Sequence, residues 1–427
     1  MRIFVVVAAV LTAVGTPVLS AQQPTEASDS LEAEVRRLKA RLDSLERVLE
    51  RLLRAEGDTA TARDELATLR AAARAAAGEQ AGADTAAAQQ SRTRDLQILN
   101  PEISVTGDLV GAYAHAAGES GSTTAVPREF EFSFQAALDP YTRTKIFVTR
   151  EQEIEIAGFP EADGEEEGHG GFEIEEGYLY WVGLPGGIGL KAGKFRQEIG
   201  LYNRWHTHAL LEVGRPLAAV TFLGEDGLIQ TGASLTSPAL SIGPSTQTAL
   251  LEVTTGTNDA LFAGGNDLSV LGRVQSFWDV GRTSYFQVGA TGVLGENEEV
   301  SLQSRLLGLD VAYRWEPSIY RGISLKGEWY FAEQDLGGVV ETGHGGYGQM
   351  NFRLTRSWIL GARADFVDGY GSAPHVVQVV PSLTWWQSEW VRIRLQYNMV
   401  RPEGGEANHT VLAQVVWAMG PHKHETY

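Results

Sequence analysis

From about residue 100 to the end of the chain, apolar and polar side chains alternate with a period of two in one segment after another. Ile103, Val105, Leu109 and Tyr113 alternate with Glu102, Ser104, Thr106 and Asp108. Phe130, Phe132, Phe134 and Leu138 stand against Glu129, Glu131, Ser133 and Gln135, and Val391, Ile393, Leu395, Tyr397 and Met399 against Arg392, Arg394, Gln396 and Asn398. A β-strand points successive side chains to opposite faces, so the pattern predicts strands with one greasy and one polar face. Sixteen such segments start near residues 102, 128, 143, 172, 187, 227, 246, 267, 282, 301, 321, 346, 357, 375, 389 and 409. Most are long enough to cross a bilayer when tilted.

The connections decide between two all-β folds. Every second one is short, as at Asp139-Pro-Tyr, Leu184-Pro-Gly-Gly, Asp279-Val-Gly, Arg356-Ser and Gln387-Ser. Those between are longer and rich in Gly, Asp or Glu: 115–127, 158–171, 198–226, 257–266, 333–345 and 401–408. Tyr178, Tyr180, Trp181, Trp315, Trp329, Tyr330, Trp385, Trp386, Trp390 and Trp417 lie near strand ends, as membrane girdles require. A soluble sandwich would have shorter strands and no reason for this loop alternation. The expected fold is therefore an all-β transmembrane barrel of about 16 antiparallel strands over 99–427, preceded by an N-terminal α-helical coiled coil.

Residues 1–21 carry one basic residue, a short apolar run and a small-residue site ending at Ser20-Ala21, the pattern of a secretory signal peptide. Within 29–56, Leu31, Val35, Leu38, Leu42, Leu45, Leu49 and Leu52 recur in steps of four and three, predicting a periplasmic coiled coil and a homo-oligomer. A trimer is a guess from the barrel class. Residues 57–98, rich in Ala, Gly, Thr, Gln and Arg, form a low-complexity tether. There is no Cys, which excludes disulfides, a lipoprotein anchor and thiolate chemistry. From Leu99 onward 22 Lys and Arg face 40 Asp and Glu, a net −18 that argues against nucleic acid and favours cations. No cofactor motif and no Ser or Asp with a positioned His stands out, so the chain does not read as an enzyme.

The stretch 198–226 is too long and too aperiodic for an ordinary hairpin loop, and is read as a loop folded into the barrel. It carries Arg204, His206, His208, Glu212 and Arg215. His206 and His208, with Glu212, could ligate a metal, though such a pair also serves as polar lining. Arg204 and Arg215 are expected to anchor the loop to wall carboxylates. Inward candidates on the wall are Arg314, Lys326, Glu328, Arg353, Arg363, Asp365, Arg392 and Arg394. Arg363 and Asp365 should cancel, whereas Arg392 and Arg394 could set a transverse field against acids across the lumen. Glu151, Glu153, Glu155, Glu173 and Glu175 read as an acidic external mouth. They would act as a cation filter or as a solvated loop meeting divalent ions around lipopolysaccharide.

The run Gly189-Leu-Lys-Ala-Gly-Lys-Phe-Arg196, then Glu198-Ile-Gly200 and a long third connection, resembles the Gram-negative outer-membrane porins. It is nearest the phosphate-selective group and its uncharacterised relatives with an N-terminal coiled coil. The resemblance implies an outer-membrane location, with lipid and lipopolysaccharide as surroundings, and a third external loop that sets the channel width. Phosphate does not carry over, because the chain lacks the basic cluster that such selectivity uses. The polar tail before Tyr427 departs from the usual ending within the last strand. The functional expectation is passive diffusion of small hydrophilic solutes or ions. The alternatives are a substrate-specific receptor, perhaps for metal cations, and a tether to peptidoglycan.

Overall fold

The computed structural model describes residues 101–115, 121–152, 154, 171–263, 267–296 and 303–420. The leader, the heptad helix and the tether expected over 1–98 lie outside the described residues, as do Glu153 and Glu155. The strands are β1 (Glu102–His115), β2 (Ser122–Ala137), β3 (Thr142–Glu151), β4 (Glu173–Trp181), β5 (Gly189–Arg196), β6 (Ile229–Thr236), β7 (Leu240–Ile242) and β8 (Ser245–Thr255). They continue as β9 (Leu268–Asp279), β10 (Ser284–Glu296), β11 (Gln303–Ser318), β12 (Arg321–Asp335), β13 (Val340–Arg353), β14 (Trp358–Asp368), β15 (Val376–Trp386), β16 (Val391–Pro402) and β17 (Asn408–Met419).

Strands adjacent in sequence pair antiparallel, and β1 pairs with both β2 and β17, which closes the sheet on itself. Both β6 and β7 pair with β8. They are one crossing interrupted at Ser237-Pro238-Ala239, where Pro has no N–H for the ladder. The result is a closed antiparallel barrel of 16 crossings. Most strand starts fall within two or three residues of the sequence expectation. The exceptions are β2, which begins at Ser122, and β13, which begins at Val340. Pro127 and the run Gly343-His-Gly-Gly346 carry turn chemistry, but a neighbouring ladder supplies hydrogen bonds that override it. The connection expected over 333–345 therefore shrinks to 336–339.

The outer face is apolar. On β11, Leu307, Leu309 and Val311 are 42–48% exposed while Asp310, between them, is buried. Trp315, Trp329, Trp358 and Trp390 stand on the outside. Two expected girdle residues do not: Tyr178 and Tyr330 are buried inside the cylinder. Trp386 lies against Arg392, 5.5 Å from the guanidinium. Strand parity, not nearness to a strand end, decides which side an aromatic takes.

The interior is not uniformly polar, contrary to the simple barrel pattern. Leu250, Leu271, Val293, Leu306 and Ala332, on β8 to β12, and Val367, on β14, point inward and form one buried cluster. Their partners come from two connections. Helix α1 (Leu217–Leu223) lies in 197–228, and the single turn α2 (Asp259–Phe262) in 256–267. The latter, expected as an external loop, instead places Leu261 and Phe262 fully inside.

Exchanging Leu309 for Arg would put a charge at mid-height on the outer face. In phospholipid vesicles it should cost about 2–4 kcal/mol of folding free energy, as seen by denaturant titration. Leu309→Ala should cost clearly less.

Candidate functional site: the loop inside the barrel

Residues 197–228 join β5 to β6 and touch wall side chains from β2, β4, β8, β12, β13, β14 and β16, arcs all round the cylinder. The loop therefore lies within it. Gly200 opens it at φ +60°, a left-handed conformation that favours Gly. A Cβ there would also collide with the Glu328 carboxylate. A 3-10 turn spans Thr207–Ala209, and α1 follows Pro216 and stops at Gly224, at φ +84°. Helix α1 buries Leu217, Ala218, Ala219, Phe222 and Leu223 against the inward apolar cluster.

A loop in this position has no ladder to satisfy its backbone, and buried N–H and C=O groups must find partners. Wall side chains supply them. Glu328 accepts from the N–H groups of Leu201 and Tyr202, both at 2.8 Å. It also accepts from the hydroxyls of Tyr330 and Tyr347. Glu129 accepts from the His208 N–H at 2.9 Å and Gln396 from the Val213 N–H at 2.8 Å. Arginines serve the carbonyls. Arg128 donates to Val213, Arg392 to His208, and Arg394 to Leu210 at 3.1 Å. Arg363 donates to Gly214 at 2.8 Å and to Arg215 at 3.2 Å.

These contacts revise several expectations. Arg363 does pair with Asp365, at 2.8 Å, but it also holds two loop carbonyls. Arg392 and Arg394 hold the loop instead of facing acids across an open lumen. Arg215 donates to the loop's own Trp205 carbonyl at 2.8 Å, not to a wall carboxylate. Burial, then the nearby Arg196 cation, lowers its guanidinium to about 10. Glu212 bonds Tyr202 and Gln349 and stands 3.7 Å from Arg363, away from the histidines. Burial and the Glu212 carboxylate hold the Tyr202 phenol well above its usual range. Arg314 and Arg353 share Glu316, at 2.6 and 2.9 Å, and Lys326 is half-buried. Arg204 lies with its guanidinium 5.8 Å from the Trp205 ring.

Of the acidic residues expected at an external mouth, Glu175 does not stand there. Glu173 is exposed and Glu151 half-buried, whereas Glu175 is buried beneath the loop and ion-paired with Arg196. Two β-bulges build this region. The irregularity at Phe147/Val148 turns both Glu175 and Glu176 inward, and that at Asp108/Leu109 does the same for Arg128 and Glu129. Period-two reading places only one of each pair inside, which is why Arg128 and Glu176 escape it.

The two histidines meet this acidic wall. The Nδ1 of His206 is 2.8 Å from Glu131 and 2.9 Å from Glu175, and its Nε2 is 2.7 Å from Glu176. The Nδ1 of His208 is 2.7 Å from Glu129. Burial alone would depress the His206 imidazole, but Glu175 and Glu131 outweigh it and hold it well above its ordinary value. His208 is raised likewise by Glu129 and Glu131 against the effect of burial. A cavity of about 100 Å³ lies beside the loop, lined among others by Glu151, Thr207, Arg215 and Asp226.

No family model matches the chain. An uncharacterized protein of Aquifex aeolicus (strain VF5) is 26% identical over 230 residues, 46% of this chain. The match spans about half of that curated relative, 48% of its length. Among solved structures, the anion-selective porin from Comamonas acidovorans superposes with a TM-score of 0.53 at 10% identity, covering 75% of this chain and 99% of that one. OprB of Pseudomonas putida gives 0.52 at 8% identity, covering 77% and 96%. The fold is that of the porin barrels. At these identities the likeness is one of architecture, and function rests on the residues of this chain.

Glu328→Gln keeps the size of the side chain but turns one of its two oxygens, which together accept from four donors, into a donating amide nitrogen. It should lower stability by about 1–3 kcal/mol and expose 197–228 to limited proteolysis. Thermal melting and the cleavage pattern check both.

Proposed function

We propose that the chain is an outer-membrane channel through which small hydrophilic solutes or ions diffuse passively, its bore narrowed by 197–228. The observation that carries the reading is the position of that loop. It is the third long connection of a closed 16-crossing barrel, and it is fastened to the inner wall on every side. An apolar exterior suits lipid, and a cylinder of this strand number is wide enough for an aqueous lumen unless something fills it. The helix expected over 29–56 would lie in the periplasm and gather the subunits of a homo-oligomer.

The named function of the solved neighbours supports a channel. One is described as anion-selective. That selectivity is not carried to this chain, whose interior arginines are engaged by loop carbonyls and acids. A receptor that captures one class of solute is a second reading, favoured by the enclosed cluster of imidazoles and carboxylates around His206.

Planar-bilayer recording tests the proposal. The purified protein should give small, steady, ohmic currents. Replacing 201–226 with a short Gly-Ser linker should raise the single-channel conductance several-fold. Equal conductance with and without the loop would remove the constriction from the account, and absence of any current from both would remove the channel.

A further inference from the structure

The geometry points to a binding site for a divalent first-row transition-metal ion, held by His206, Glu131 and Glu175. A ring nitrogen carries one proton, yet carboxylates of two different residues close on Nδ1 of His206, at 2.8 and 2.9 Å. These three ligand atoms lie within 4.8 Å of one another, all on buried residues. With metal–ligand bonds of about 2.0–2.2 Å, the 2.8 and 2.9 Å separations from Nδ1 each subtend roughly 90° at a shared ion, the edge of an octahedron. The ion takes the place of the shared proton. One imidazole and two carboxylates suit zinc and its neighbours better than magnesium or calcium, which prefer oxygen alone.

The surroundings match what a metal-binding imidazole needs. The Nε2 of His206 is 2.7 Å from Glu176, so a carboxylate fixes the ring from behind and raises its basicity. Glu176 is itself held, accepting from the Arg196 N–H at 3.0 Å. A second group, Glu129, Glu131 and His208, shares Glu131 with the first, and Glu129, Glu151 and Glu175 make a third. A cavity lies close by: Glu151, of the third group, lines it, as does Thr207, which stands between the two histidines in sequence. The fastening of the loop brings these groups together. Glu129 and Glu131 come from β2, Glu175 and Glu176 from β4, and His206 and His208 from the loop. Sequence spacing pairs the histidines with Glu212 instead, which the structure places elsewhere.

The site depends on the loop's position and not on conduction, so it is tested without current. Folded protein in detergent is dialysed against micromolar zinc, and bound metal is counted by elemental analysis and calorimetry. One zinc per chain is expected, unaffected by excess magnesium and by replacing His422 and His424 of the C-terminal tail with Gln. His206→Gln should lower the affinity at least 100-fold, and Glu176→Gln, which removes only the support behind the ring, 10–100-fold. His375→Gln, at an exposed pair with Glu403, should change nothing. Zinc-edge absorption should show nitrogen and oxygen neighbours with one imidazole. No retained zinc, or full affinity in both His206→Gln and Glu176→Gln, would overturn the site and identify the cluster as an ion-pair clasp. Should His206→Gln fail to fold, Glu176→Gln and the absorption spectrum decide.

Discussion

A segment of backbone inside a barrel cannot borrow hydrogen bonds from the sheet, because every strand group is already committed to a neighbour. Residues 197–228 meet that constraint with side chains from the wall. Carboxylates and amides take the loop's N–H groups, as Glu328, Glu129 and Gln396 do. Guanidiniums take its carbonyls, as Arg363 and Arg394 do. Charged residues that a simple reading would assign to permeating ions are thus occupied with structure. What they leave for a solute is set by where the loop lies.

Polar contacts position the loop, and apolar ones hold the remainder of it down. Helix α1 has seven residues, too few to be stable alone. It persists because its buried face joins the apolar cluster to which Leu250, Leu271, Val293, Leu306 and Val367 belong. The short turn α2 joins it through the Asn258 side chain, which donates to the Leu223 carbonyl at 2.8 Å. A smaller apolar cluster on the far side takes Val213 against Val110, Val126 and Leu412. The loop is consequently clamped between two greasy patches with a charged band between them.

The barrel was legible in the sequence because period-two alternation is a direct consequence of strand geometry. Sixteen starts could be read, and the loop stood out by its lack of period. The interior was less legible for three physical reasons. Bulges break parity, so period-two alternation does not single out Glu176 and Arg128 as inward residues. Long-range partners leave no local trace, so Arg392 looked like a free cation. A strand covered on both faces loses its alternation, and this last signal was present. The doublets Leu250-Leu251, Val293-Leu294 and Leu306-Leu307 put one apolar residue outside and one inside. They announce an apolar filling that the average hydropathy conceals.

Amide hydrogen exchange reads the central claim directly, since it reports whether loop backbone groups are bonded. In the folded barrel, the amides of Leu201, Tyr202, His208 and Val213 should exchange as slowly as those of the flanking strands. Exchange of these four within seconds, while β5 and β6 stay protected, would show the loop swinging free of the wall and contradict the account.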